Sequence, residues 1–182
     1  MPEGIRPTRN MVRKAIFDIL GNIKDLSLLE LFAGSGAVGL EAVSRGAKEV
    51  VFVENNPQVL KVLTQNLSYI LYIAHVPRII LEGCLRGRQA KCCTLPMDAQ
   101  AAVKRLAQDG RKFDIIFLDP PYYQELLKKT LQTLGAYDIL SPAGLIVAQH
   151  SKKEILSERL GVLSLLKQSV YGDTLLSFYK KG

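Results

Sequence analysis

Apolar positions along this chain switch repeatedly between a helical and a strand period. Met11, Val12, Ala15, Ile16, Ile19 and Leu20 recur at helical spacing, with Thr8 or Asn10 placed to cap the start and Gly21 to end it. The chain therefore opens with an amphipathic helix. Continuous apolar runs of strand length follow at 26–32, 49–54, 77–81, 113–118 and 144–148. Helical stretches separate them. One covers 40–45 and is closed by Gly46; a second runs from Asn56-Pro57, a capping Asn followed by a first-turn Pro, to about Tyr72. Two more cover 99–107, ending before Gly110, and 124–134, with Gly135 just beyond. Residues 82–96 are polar, basic and poorly periodic, and read as a loop or irregular hairpin. Ser151-Lys152-Lys153-Glu154 matches a capping box and predicts a short helix to about Leu160. Residues 163–171 and 174–179 flank Gly172-Asp173 and read as two strands joined by a tight turn.

Strands alternating with helices predict an α/β fold, a Rossmann-like, mostly parallel sheet with an antiparallel C-terminal hairpin. The 182 residues read as one domain, a basic helical segment at 1–22 preceding the core at 23–182. Ligands of such sheets sit at the carboxyl ends of the strands. Two motifs follow strands and are expected on that edge: a glycine turn after the first strand, and Asp119-Pro120-Pro121-Tyr122 after the run 113–118.

The glycine turn, Glu30-Leu31-Phe32-Ala33-Gly34-Ser35-Gly36-Ala37-Val38-Gly39, contains Gly-x-Gly-x-x-Gly, with Glu54 twenty residues beyond Gly34. The glycines suit a tight turn and close ligand approach, and the later carboxylate suits ribose hydroxyls. That pattern alone fits NAD or S-adenosylmethionine. Glu30, ahead of the turn, suits an ammonium better than a pyrophosphate, and Asp98 before the next helix offers an acceptor for an adenine amine. Three acids favour a cofactor that carries positive charge, as S-adenosylmethionine does. Each also has a structural reading: Glu30 as a strand-end carboxylate paired with a lysine, Glu54 as a cap for the helix near Asn56, Asp98 as an N-cap.

An exocyclic amine of guanine or adenine is a poor nucleophile because its lone pair is delocalised into the ring. Asp119 and the Pro120 carbonyl can accept its two N–H bonds, while the prolines stiffen the backbone and Tyr122 stacks on the base. The tetrapeptide thus predicts a site for methylating such an amine, with no metal and no covalent nucleophile. A cysteine attack on a pyrimidine is excluded, since no thiol stands near 119–122.

Charge and cysteine content add little more. Lys plus Arg outnumber Asp plus Glu by 24 to 17, a net charge of +7 with a pI near 9.4, which favours a polyanionic partner. Arg6, Arg9, Arg13 and Lys14 form one basic cluster, and Arg78, Arg86, Arg88 and Lys91 another. Cys84, Cys92 and Cys93 have neither metal-ligand nor redox-motif spacing and read as reduced thiols; His75 and His150 are too scattered to change that. The first residues lack a secretory pattern and no run reaches membrane length, so a cytoplasmic protein is expected.

These residues resemble the RsmD-type family of bacterial 16S rRNA (guanine-N2)-methyltransferases. The resemblance is carried by Ile5-Arg6-Pro7-Thr8 with Val12-Arg13 and Phe17, by Leu31 to Ala37 with Gly39 to Ala42 and Ser44 to Ala47, and by Phe52-Val53-Glu54. It continues through Phe113 to Tyr122 and ends at Tyr171-Gly172. It implies the S-adenosylmethionine-dependent methyltransferase fold and a monomer acting on 16S rRNA or the assembling small subunit, without metal or membrane. Carried over, Glu30, Phe32, Ala33, Gly34, Ser35 and Gly36 would hold the methionine part, Glu54 and Asn55 the ribose, and Asp98 with Ala99 the adenine. Asp119, Pro120, Pro121 and Tyr122 would hold the target guanine, and Arg6, Thr8, Arg9 and Arg13 the RNA. Departures from the family pattern include the start almost at the Arg-Pro-Thr segment, which implies a reduced RNA grip. Asn10 and Lys14 stand where acids are common, Gln149 stands near a position often acidic, and 82–96 is longer than usual. Other readings are adenine-N6 methylation of DNA or RNA, and a nucleotide- or RNA-binding module without catalysis.

Overall fold

The computed structural model describes residues 10–73, 80–81, 84–86, 91–121 and 125–182, with backbone alone at 70–73, 80–81 and 84–86. The chain divides into two compact units, Met1–Asp98 and Ala99–Gly182.

The first unit opens with α1 (Asn10–Leu20), which buries Val12, Ile16 and Phe17 and stops at Gly21, whose φ of 70° only glycine adopts readily. Strand β1 (Ser27–Leu31) leads through the glycine turn into α2 (Ala37–Ser44), β2 (Glu49–Val53) and α3 (Pro57–Ile73). Asn56 caps α3 as expected, its Oδ1 accepting from the Gln58 and Val59 amides at 2.9 and 3.4 Å. Then come β3 (Ile80–Leu81), β4 (Cys84–Arg86) and β5 (Lys91–Leu95). Within this unit the strand order is β3-β4-β5-β2-β1, with β1, β2 and β5 mutually parallel and β3, β4 and β5 antiparallel. Every residue of β1 is buried, as a parallel strand covered on both faces requires.

Three expectations change here. Helix α2 begins at Ala37 rather than Leu40, because the Glu30 carboxylate caps its first turn across the glycines. The segment read as a loop or irregular hairpin does contain the antiparallel β4–β5 pair, but β5 also joins the parallel core beside β2. Cys93, expected to be a reduced thiol, is disulfide-bonded. Cys84 occupies the backbone position opposite it on β4, a proximity that sequence spacing hides. Cys92 is free and buried, and burial, then the charge of Glu49, pushes its thiol up to about 11.

The second unit contains α4 (Ala99–Gln108), β6 (Phe113–Leu118), α5 (Leu126–Ala136), β7 (Leu140–Ser151), β8 (Arg159–Leu160), β9 (Leu163–Tyr171) and β10 (Thr174–Lys181). Its strand order is β6-β7-β10-β9-β8; β6 and β7 are parallel, and the rest pair antiparallel. The C-terminal hairpin is present with its turn at Gly172-Asp173. Gly135 does not lie beyond α5 but inside its last turn, where a Cβ would stand 2.2 Å from the Leu160 carbonyl oxygen. It is a close-approach glycine. The capping-box helix is absent: β7 runs on through Ser151, whose backbone pairs with Thr174, and a turn follows. No helix among the described residues is long and apolar enough to cross a membrane.

Candidate active site

In the first unit the register sets Leu31 beside Val53, and Val53 beside Leu95, so β1, β2 and β5 end level. The glycine turn, Glu54 and Asp98 follow those three ends in turn. The turn is sharply made. Phe32, Gly34 and Gly36 have φ of 61°, 56° and 78°, and the Gly36 amide donates to the Ala33 carbonyl at 2.7 Å. A bulky residue at positive φ stores strain of about 1–3 kcal/mol and marks functional turns; nothing in the sequence signals this at Phe32. The glycines divide their labour. A Cβ on Gly36 would lie 2.4 Å from Leu63 and one on Gly39 2.4 Å from Phe52, so both permit packing of the turn and α2. Around Gly34 the nearest atom to such a Cβ among the described residues, its chain neighbours aside, is the Phe32 carbonyl oxygen at 4.0 Å, so no packing contact there requires glycine.

Glu30 is 3% exposed, and its carboxylate accepts from the Val38 amide at 3.3 Å and the Gly39 amide at 2.8 Å. It neutralises the N-terminus of α2, where no side chain of the turn itself serves as a cap. Glu54 Oε2 accepts from the Gly34 amide at 3.0 Å, and Oε1 from the Asn55 and Asn56 amides at 3.0 and 2.9 Å. This carboxylate ties the end of β2 to the open part of the turn. Asn66 of α3, absent from the sequence-based candidates, donates to the Ser35 carbonyl at 2.9 Å and braces the turn from the other side. An Asn on the turn-facing side of α3 is its only sequence signal. Ala33 is buried, and Asp98 stands at the N-terminal end of α4 with Ala99 buried beside it.

In the second unit Asp119 follows the end of β6, where Leu118 is level with Ala148 of β7. Pro120 is buried and Pro121 exposed. Gln149 of β7 donates from Nε2 to Asp119 Oδ2 at 2.9 Å. Its neighbour His150 is fully buried; Nδ1 donates to the Ser151 carbonyl at 2.9 Å, and Nε2 lies 2.7 Å from the Ser177 hydroxyl. Burial pulls the His150 pKa below its ordinary value. Tyr122 lies outside the described residues, as do Arg6, Thr8 and Arg9. Arg13 is on α1, donating to Asn10 Oδ1 at 2.9 Å and lying 3.9 Å from Glu41. Lys91 of the second basic cluster pairs with Glu49 at 3.1 Å. Among the described residues no group of acids, histidines and cysteines could hold a metal ion.

A model of the family described as conserved hypothetical protein 95 matches residues 1–180. The chain belongs to that family. This is the RsmD-type family to which the Arg-Pro-Thr, glycine-turn and Asp-Pro-Pro-Tyr motifs point. Among relatives, the ribosomal RNA small subunit methyltransferase D of Escherichia coli K12 is 30% identical over 98% of this chain and 80% of its own. The protein of the same name from Haemophilus influenzae is 30% identical over 85% of this chain and 72% of its own. A hypothetical protein from Thermus thermophilus superposes with a TM-score of 0.78, at 27% identity, over 99% of this chain and 91% of that one. The S-adenosylmethionine-dependent methyltransferase of Agrobacterium tumefaciens shares the fold, with a TM-score of 0.65 over 97% of this chain and 63% of that one, at 17% identity. The chain thus has the methyltransferase fold that the family resemblance implies, built on the mostly parallel sheet that the alternation of strands and helices predicts.

Proposed function

We propose that this chain transfers the methyl group of S-adenosylmethionine to the exocyclic N2 of a guanine in 16S rRNA. The observation that carries the reading is Asp119-Pro120 at the carboxyl end of β6, an acid with a proline carbonyl beside it, in a chain whose relatives are named ribosomal RNA methyltransferases. Guanine N2 attacks only once its lone pair leaves conjugation with the ring. The Asp119 carboxylate and Pro120 carbonyl accept the two N–H bonds, turn the lone pair outward and stabilise the positive charge that grows on nitrogen. Tyr122 stacks on the base.

The first unit suits the donor: Gly34, where no packing contact requires glycine, lets a ligand come close to the backbone, and Glu54 reaches that turn. In this reading Phe32 to Gly36 hold the methionine part, Glu54 with Asn55 the ribose, and Asp98 with Ala99 the adenine. Glu30 serves by shaping the turn, since its carboxylate is taken up by α2. S-adenosylmethionine supplies an electrophilic methyl group when bound. Arg6, Thr8, Arg9 and Arg13 grip the RNA phosphates, and the chain works as a cytoplasmic monomer on rRNA or the assembling subunit.

The test is to incubate the protein with labelled S-adenosylmethionine and undermethylated 30S subunits, then map the modified nucleotide and hydrolyse to nucleosides. N2-methylguanosine at a single position is expected. A product of N6-methyladenosine, or no transfer to any guanine N2, would sink the reading.

A further inference from the structure

Gln149 is 6% exposed on β7, and only half of its amide is satisfied. Nε2 donates to Asp119 Oδ2 at 2.9 Å, while Oε1 is buried with no hydrogen-bond partner among the described residues. The carboxylate settles the amide's orientation: Asp119 accepts, so the reverse arrangement would set oxygen against oxygen. Such a side chain is a poor choice for stability. A methionine of similar length would fill the same space without burying an orphan acceptor. The contact with Asp119 is what the residue supplies in return.

That contact has a mechanical sense. Asp119 sits where β6 gives way to a proline turn, and Gln149 sits on the long neighbouring strand, one position beyond the Leu118 and Ala148 pair. A donor on a rigid strand selects one rotamer of the carboxylate with a short charge-assisted bond.

We propose that Gln149 is the positioning residue of the acceptor site, holding the Asp119 carboxylate as an aimed acceptor for the substrate amine. The inference rests on the methyl-transfer reading above. Gln149→Met separates it from a packing role when assayed with undermethylated 30S subunits and labelled S-adenosylmethionine. The variant is expected to lower kcat by about tenfold to a hundredfold, the scale of a misaligned reacting group. KM for subunits and the affinity for S-adenosylmethionine should stay put, and the melting temperature should hold or rise. Wild-type kcat in Gln149→Met, or a loss that merely follows a lowered melting temperature, would overturn the proposal. The contact is also read without turnover: the Gln149 side-chain amide resonance, assigned by its loss in Gln149→Met, should shift in Asp119→Asn, and an unmoved resonance would overturn it. If the wild-type chain transfers no methyl group, the functional reading fails, while this resonance still decides whether Gln149 holds Asp119.

Discussion

Asp119 is the residue on which the proposed chemistry turns, and removing its carboxylate should affect rate alone. Asp119→Ala is expected to bind S-adenosylmethionine as the wild type does and to lose about a thousandfold or more in turnover, the scale of a lost preorganised acceptor. Isothermal titration and single-turnover transfer measure the two quantities, and near-normal turnover would remove Asp119 from the mechanism. On the same unit His150 makes a prediction about stability. Its pKa in the folded chain is depressed below 6.5 by burial, so in the window just below 6.5 the unfolded chain binds the proton and the folded chain does not. The contribution of His150 is therefore fully present above 6.5 and is lost as pH falls toward the folded value. Urea unfolding should show stability declining between about pH 7 and pH 5 in the wild type and declining less in His150→Gln. The half-buried Glu154 carboxyl, raised above 4.5, acts with the opposite sign at lower pH, so the difference between the two proteins is the quantity to read. Parallel pH profiles would show that His150 titrates alike in both states.

Elements here are made by close approach as much as by propensity. In α5, Thr130 accepts from Gln100 of α4 at 2.9 Å, and Leu127, Leu131 and Leu134 are buried. The helix then brings Gly135 against the backbone of β8, and the Val162 amide donates to the Gly135 carbonyl at 3.4 Å. A methyl group at 135 would meet the Leu160 carbonyl oxygen at 2.2 Å. Neither partner is a flexible side chain, so Gly135→Ala should cost about 3 kcal/mol, the upper range for overpacking, although alanine is the better helix former. Denaturant midpoints check this, and a stabilised variant would show that α5 and β8 can part cheaply. The same contact explains why periodicity misplaces the glycine: a helix-ending glycine and a close-approach glycine look alike in one dimension. Ser151 is a parallel case. Its capping-box neighbours are real, but β10 takes its backbone into the sheet first.

Taken as a whole, the molecule carries a net charge of +7, and the proposed binding of RNA depends on which cations remain available. Arg13 is drawn toward Asn10 and Glu41, and Lys91 is paired with Glu49. Substituting Arg6, Arg9 and Arg13 together by glutamine should weaken RNA binding and reduce its logarithmic salt slope by about 0.7 to 0.9 for each lost phosphate contact. Filter binding across salt concentrations measures the slope, and an unchanged slope would place the RNA grip elsewhere. The sequence by itself determined the α/β class, the approximate places of the helices and of the strands at 27–31, 49–53 and 113–118, the glycine turn, the acid-proline-proline turn and the family, because each is written in local periods and contiguous motifs. Tertiary structure alone decided that β5 joins the parallel core, that Glu30 turns inward to cap α2, that Glu54 reaches the Gly34 amide, that Cys93 is disulfide-bonded, and that Gln149 holds Asp119. The physical reason is common to all five: strand pairing, side-chain hydrogen bonds and cross-links join residues distant in the chain, and their geometry exists only once the backbone has folded.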